Sequence, residues 1–260
     1  VMDLAQCDAA ICPTHWQANQ FPPAMRRHLS VIFDGVDTAQ LPLVKQGARH
    51  HPLNLGAGDA KATIPADVPL VTYVTRCFEP YRGWPQVAEG LALLMQRNPR
   101  AHVLLVGSDE VAYGGKRGDG LSWREWALKE WPMDPSRLHQ LPALGYDDYK
   151  HVIQRSWVHV YWTVPFILSW SLMEAMASGC CIVASSTPPV EEVITCGEQG
   201  QLVDFFDPEA LSQQVDHLLQ NLEQRQKLGQ CASQRILEGG YDLQNTLKQQ
   251  LQLLDHVIHG

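Results

Sequence analysis

LVTYVTRCFEPYRGWPQVAEGLALLMQRNPRAHVLLVG, residues 70–107, is the stretch that decides the fold. Its opening, LVTYVTR (70–76), is rich in β-branched and aromatic residues and predicts a strand. FEPYRG follows as a loop, and in WPQVAEGLALLMQRNP the apolar positions recur at three and four, the period of a helix. AHVLLVG (101–107) is a continuous apolar run ending in Gly, as expected of a strand covered on both faces. The alternation then repeats. WREWALKEWP predicts a helix stopped by Pro132, RLHQLPAL a short strand, YDDYKHVIQRS a helix and WVHVYWT (157–163) a strand. SLMEAMASG is a helix ended at Gly179, CIVAS (181–185) a strand, PVEEVIT a short helix and QLVDFF a strand. Closing helices begin at PEALSQQ and end with YDLQNTLKQQLQLLDHVI. Strands alternating with helices predict an α/β fold with a doubly wound, Rossmann-like parallel sheet. Upstream, CDAAICPT (7–14) and LSVIFDGVDT (29–38) read as strands around a helix-like HWQANQFPPAMRR, and Leu41 to Pro69 reads as a linker or loose excursion.

With 260 residues, 45% hydrophobic and 18% charged, the chain has ordinary globular composition. Its net charge of -8 supplies no global attraction to nucleic acid or to anionic membranes, so any phosphate must be bound by a local arrangement. No apolar run is long enough to span a bilayer, and the first residues do not read as a signal peptide. The 7 Cys include no CxxC pair. A reducing, cytoplasmic setting fits them, and the vicinal Cys180 and Cys181 read as strand packing. There is no HExxH, no zinc-type Cys/His spacing and no GxSxG elbow. His102, His139 and His159 lie in or beside strands and read as structural; His50 and His51 read as solvated. Trp123, Trp126 and Trp131 recur at helical spacing and read as core or as contacts to a missing neighbour.

Ligands of doubly wound sheets bind beyond the carboxyl ends of the strands, which selects residues 76–83, 107–120, 142–146, 163–174 and 186–192. Arg76 and Arg82 flank one such loop, and their planar forks suit a diphosphate clamp. Equally, both could be solvated, or one could pair with Glu79. Gly107 opens a Gly-rich loop that contains Gly114, Gly115, Lys116 and Arg117 but neither a dinucleotide fingerprint nor a P-loop, and a surface loop is the plainer reading. Ser169, Trp170 and Ser171 fall in the first turn of a helix, where backbone N–H groups lack intrahelical partners and an anion is favoured. Glu174 lies one turn further in. It could accept two hydrogen bonds from adjacent hydroxyls, as on a ribose, or simply complement the helix dipole.

EAMASGCCIVASSTPPVEEVITCGEQGQLVDFFDPEAL resembles the donor-binding signature of glycosyltransferase family 4, the group 1 retaining enzymes of the GT-B fold. VTRCFEPYRG is similar to the family's strand–Arg–loop–Lys-Gly element, HVLLVG to its following strand, and FDGVDT (33–38) to the text joining its two halves. The resemblance covers roughly residues 7–225. It implies that Arg76 and Arg82 bind the donor diphosphate, Arg82 standing where the family has Lys, and that Glu174 binds the ribose hydroxyls. It implies that N–H groups around Ser169–Leu172 meet the diphosphate or sugar, and it places Glu192 where the next donor-side turn carries its Glu. The first acid of the family's Glu-x7-Glu pattern falls at Phe166, which implies a differently arranged sugar pocket.

On this resemblance, residues 1–45 are a remnant of an N-terminal acceptor domain, 46–69 a linker, 70–240 the nucleotide-sugar-binding domain and 241–260 a C-terminal helix. The implied activity is retaining transfer of a sugar from a nucleotide-diphosphate donor to an acceptor glycan or lipid-linked saccharide, in polysaccharide biosynthesis. It requires no obligatory cofactor or metal, has no nucleic-acid partner, and is cytoplasmic, with room for peripheral association at the inner face of the membrane. The acceptor side is expected from a missing N-terminal domain or partner chain, so the chain alone is expected to turn over weakly or not at all. Rival readings are a sugar-nucleotide epimerase or hydrolase of the same fold and a non-catalytic nucleotide-sugar-binding module.

Overall fold

The computed structural model describes residues 6–58 and 60–259. The chain opens with β1 (Ala10–Cys12), two short helices (His15–Asn19 and Pro23–Arg26) and β2 (Leu29–Val31), which pairs parallel with β1. A hairpin follows, β3 (Leu53–Ala57) antiparallel to β4 (Ala60–Ile64). The main sheet comprises β5 (Leu70–Cys77), β6 (His102–Ser108), β7 (Leu138–Leu141), β8 (Val158–Tyr161), β9 (Cys181–Ser185) and β10 (Gln201–Val203). Its spatial order is β10-β9-β8-β5-β6-β7, and every pairing is parallel. Renumbered from its first strand, this is the 3-2-1-4-5-6 order of a doubly wound sheet, with its switch point between β5 and β8.

Period-two alternation explains why both faces are covered. Val71, Tyr73, Val103, Leu105, Val158, Val160, Cys181 and Val183 face one way and bury against helices Trp84–Arg97 and Pro208–Gln220. On the opposite face, Tyr161, Ile182 and Ala184 pack under helix Trp170–Ala177, and Leu70, Leu104 and Val106 under the β3–β4 hairpin. The vicinal thiols follow the same rule: Cys180 and Cys181 are both buried, one in each core, and neither forms a disulfide. At the helix stop, Gly179 has φ 70°, the left-handed conformation that favours glycine.

Residues 41–69 are not a loose excursion. Leu53, Leu55, Ala62 and Ile64 alternate inward along the hairpin and are buried. The buried Arg49 guanidinium donates to the carbonyls of Ile153 (2.7 Å) and Gln154 (2.9 Å), and also to that of Ser178. Arg155, equally buried, donates to the carbonyls of His51 (2.6 Å), Pro65 (2.9 Å), Ala66 (3.0 Å) and Val68 (2.8 Å). The segment therefore runs under the amino ends of the strands, tied there by guanidiniums that bind helix-end and loop carbonyls. Nor is His50 wholly solvated, since its ring lies 4.7 Å from that of Trp157.

The last helix, Leu243–His259, starts at the same place as the junction after β2: Val36 N–H donates to Tyr241 O (2.9 Å) and Leu243 N–H to Val36 O (2.8 Å). No helix among the described residues is long and apolar enough to cross a membrane.

Candidate donor site at the switch point

The carboxyl ends of β5 and β8 open into a cleft of about 280 Å³, lined by Thr75, Arg76, Leu144, Tyr146 and Ser169 among others. A narrower recess adjoins it, sharing Arg76, Ser169 and Ser171 and adding Arg82 and Tyr161. This is where a doubly wound sheet leaves room for a ligand, because the connections from neighbouring strands depart in opposite directions.

Arg82 owes its position to backbone geometry. It ends a one-turn 3-10 segment, Pro80–Arg82, closed by Gly83 at φ 65°. A Cβ on Gly83 would lie 2.3 Å from Trp162 Cδ1, so a larger residue would push this turn off the sheet. The buried Tyr73 hydroxyl donates to the Arg82 carbonyl (2.6 Å). Val164 N–H donates to the Tyr81 carbonyl (3.1 Å), which brings the loop after β8 against the same turn.

The pairing with Glu79 left open by the sequence does not form. Glu79 is fully buried, and its Oε2 accepts the backbone N–H groups of Tyr113 and Gly114, both at 3.1 Å. Neither Arg76 nor Arg82 makes a side-chain hydrogen bond or ion pair with any described residue. The Arg82 guanidinium instead lies 5.4 Å from the Tyr113 ring centroid and 5.7 Å from that of Phe166. Arg76 is exposed at the mouth of the cleft. Two guanidiniums without counter-charge at one strand edge form a local positive field in an otherwise acidic chain.

Across the cleft, Ser169 caps helix Trp170–Ala177, its side chain accepting from Ser171 N–H. Leu172 N–H donates to the Ser169 carbonyl (3.1 Å), and Ser169 N–H to the Tyr161 hydroxyl (3.2 Å). Of the four N–H groups at 169–172, only that of Trp170 has no partner among the described residues. The Trp170 side chain points the other way, 58% exposed, with its indole N–H on Asp34 Oδ2 (2.9 Å). Leu172 is buried in the core below.

Glu174 is buried to 8% exposure and accepts a hydrogen bond from the Tyr146 hydroxyl (2.9 Å) on Oε1. Burial pushes its carboxyl pKa up, and the hydroxyls of Tyr149 and Tyr146 pull partly the other way. The Tyr149 hydroxyl is itself buried beside this carboxylate. A solvated helix-dipole carboxylate would be exposed. This one is held inward beside two phenols.

Gly107 lies in β6, and a Cβ there would meet the Thr75 carbonyl at 2.6 Å, so its smallness serves the close approach of β5 and it lines neither cleft nor recess. Within the loop that follows, the N–H groups of Tyr113 and Gly114 are taken by Glu79. Glu192 is drawn away from the cleft: its carboxylate accepts His15 N–H (2.8 Å) and also Trp16 N–H, capping the first helix of the N-terminal segment. The histidines are structural. His159 is fully buried, its Nδ1 2.9 Å from Thr72 Oγ1, and His102 Nδ1 lies 3.0 Å from His139 Nε2. Trp123 and Trp126 pack partly buried against the first core with Arg117 above them. The residues that the sequence did not single out are Tyr113, Tyr146 and Tyr149; no local motif marks them, because Tyr113 comes from the loop after β6 and the other two from helix Tyr146–Arg155.

The fold is that of a doubly wound, GT-B-type domain, with two guanidiniums at its switch point. The chain matches the family described as glycosyl transferases group 1 over residues 58–235, and a glycosyl transferase family 4 group over residues 1–41. It belongs to the group 1 glycosyl transferases. Among solved structures it is similar to HepE from Anabaena in complex with UDP-glucose, at 16% identity and TM-score 0.75, covering 96% of this chain and 64% of that one. A glycosyltransferase from Rickettsia africae ESF-5 gives 15% identity and TM-score 0.76, covering 97% and 64%. Sucrose-phosphate synthase from Thermosynechococcus elongatus gives 22% identity and TM-score 0.70, covering 98% and 59%. The chain thus spans about two thirds or less of the length of these neighbours, and identities this low carry the fold alone. No curated protein matches significantly.

Proposed function

We propose that this chain is the donor-binding half of a retaining glycosyltransferase that uses a nucleotide-diphosphate sugar. The observation that carries the reading is the pair of guanidiniums without a hydrogen-bonded partner, Arg76 and Arg82, at the switch point, across from the Ser169-capped start of helix Trp170–Ala177. Negative charge develops on the diphosphate as the sugar leaves. Cationic groups already in place there stabilise the transition state without reorganising. In this reading the guanidiniums supply that charge, so no metal is required, and no side chain serves as nucleophile. Glu174, fixed by Tyr146, accepts the ribose hydroxyls, and the base rests near Ala143 and Leu144 in the wider cleft. Transfer is from the front face onto an acceptor glycan or lipid-linked saccharide held by an N-terminal domain or a partner chain, in a cytoplasmic setting. Residues 1–45 and 46–69 are then the end of the acceptor half and its connection, and 241–260 the helix returning to it.

The test is calorimetric titration with UDP, GDP and ADP. One of them binds, and Arg82→Ala weakens it by about 1.5–3 kcal/mol, the worth of a charge-assisted hydrogen bond. Unchanged affinity in that variant removes Arg82 from the site.

A further inference from the structure

The guanidinium of Arg82 has an unusual setting for a buried-edge cation: two aromatic rings and no acid. Tyr113 and Phe166 meet edge to face at 5.2 Å and an interplanar angle of 64°, and Arg82 Cζ lies within 5.4 and 5.7 Å of their centroids. The rings come from distant parts of the chain, Tyr113 from the loop after β6 and Phe166 from the loop after β8. Each is anchored. The buried Glu79 holds the backbone N–H groups of Tyr113 and Gly114, and Gly114 lies against Tyr81 and Glu79. The Phe166 loop is tied by Val164 N–H to the Tyr81 carbonyl (3.1 Å) and by Thr163 N–H to Ser185 Oγ (3.1 Å). So Glu79 spends its charge on loop amides, three residues before Arg82, while aromatic faces hold the cation.

We infer that Tyr113 and Phe166 are positioning residues that clamp Arg82 by its flat face, fixing its direction while leaving its full positive charge for the donor diphosphate. The inference rests on the donor reading above and deepens it. The physical distinction is simple. A carboxylate at position 166 would orient Arg82 but also neutralise it, and a diphosphate would have to displace that ion pair. A ring quadrupole attracts the guanidinium more weakly and gives it no anionic partner. The guanidinium edge, with its N–H donors, stays available to the phosphate oxygens. The aromatic residue where the family pattern carries an acid is thereby given a role in binding the diphosphate. Glu79 becomes the strut that holds Tyr113 in reach.

Two readouts test the clamp. The first is titration of the full chain with whichever of UDP, GDP and ADP binds it, alongside the matching monophosphate. Tyr113→Leu and Phe166→Leu weaken the diphosphate about three- to tenfold and leave the monophosphate unchanged, while Tyr113→Phe and Phe166→Tyr bind as the parent does. Phe166→Glu, which supplies the acid, weakens the diphosphate more than Phe166→Leu. The second is the Arg82 Nε–Hε resonance, assigned by its loss in Arg82→Lys. Ring currents shift it upfield in the parent, and the shift disappears in Tyr113→Leu and Phe166→Leu but persists in the conservative variants. If both leucine variants bind the diphosphate like the parent, or Phe166→Glu binds it more tightly, the clamp is wrong. If no diphosphate binds the parent chain, the donor reading fails; the resonance then decides the clamp alone, and an Arg82 signal indifferent to Tyr113→Leu overturns it.

Discussion

Arginines stand at both edges of the central sheet, and they are treated in opposite ways. Under the amino ends of the strands, Arg49, Arg155 and Arg225 are buried with their guanidiniums on backbone carbonyls; Arg225 takes those of Leu218 (2.5 Å) and Leu219 (2.6 Å) with the Trp157 ring 4.5 Å away. Above the carboxyl ends, the guanidiniums of Arg76 and Arg82 have no hydrogen-bonded partner among the described residues. The difference lies in what each edge offers. Helices that precede strands end at the amino edge and leave carbonyls unsatisfied there, so cations belong to the structure. Helices that follow strands begin at the carboxyl edge and present N–H groups, so a cation there adds to a positive field instead of neutralising a negative one. An edge built in this way attracts negative charge from outside.

The comparison is broken first by Arg155→Ala. Four carbonyl acceptors lose their donor, and the expected loss is about 3 kcal/mol or more in urea unfolding. A loss below about 1 kcal/mol would show that water takes over the role of the guanidinium. Second in size is the reverse case. Arg82→Ala is expected to cost about 1.5–3 kcal/mol in diphosphate binding but to change unfolding by no more than about 0.5 kcal/mol. Third, the sheet between the edges holds histidines kept neutral by burial: His159 is pushed down to about 3 and His139 to about 4. A histidine with a lowered folded pKa takes up its proton more readily when unfolded. Stability should therefore fall as pH drops below the ordinary histidine value of about 6.5, and continue falling towards 4 and 3, by up to about 1.4 kcal/mol per pH unit for each group. A flat profile through that window would place a charged partner beside one of them.

The smallest effect concerns Glu174. Glu174→Gln keeps the shape and one acceptor, so nucleoside binding should weaken by about 1 kcal/mol. Because burial raises the Glu174 pKa, affinity that depends on its carboxylate should begin to fall, on acidification, above the ordinary glutamate range. The Gln variant should lack that dependence. Equal pH profiles for the two would assign the carboxylate to the structure alone.

Most of the main sheet was legible in the sequence, and the reason is visible in particular residues. Residues 70–75, AHVLLVG and CIVAS are buried or partly buried throughout, and the short apolar runs between helical periods leave few other readings. The hairpin of residues 53–64 was not legible. Its alternation is short, and Gly56 and the alanines within it resemble a linker. The burial of Arg49 and Arg155 was not legible either, because nothing local reveals the carbonyls that meet them from residues about 90 to 130 positions away. At the candidate site, Arg76, Arg82, Ser169, Ser171 and Glu174 could be placed because strand ends and helix starts are local signals. Tyr113 and Tyr146 fall inside the strand-end windows 107–120 and 142–146, but nothing local singles them out, since their contacts depend on which strands the sheet order makes neighbours.

The account stands on the carboxyl-edge arginines being free for an external diphosphate, and one measurement addresses it directly. Calorimetric titration compares the parent chain with Arg76→Ala/Arg82→Ala, using the nucleoside diphosphate that binds the parent and the corresponding nucleoside. The expected result is loss of diphosphate affinity by roughly two to four decades, with nucleoside affinity and unfolding midpoint unchanged. Equal diphosphate affinity in parent and double variant would contradict it.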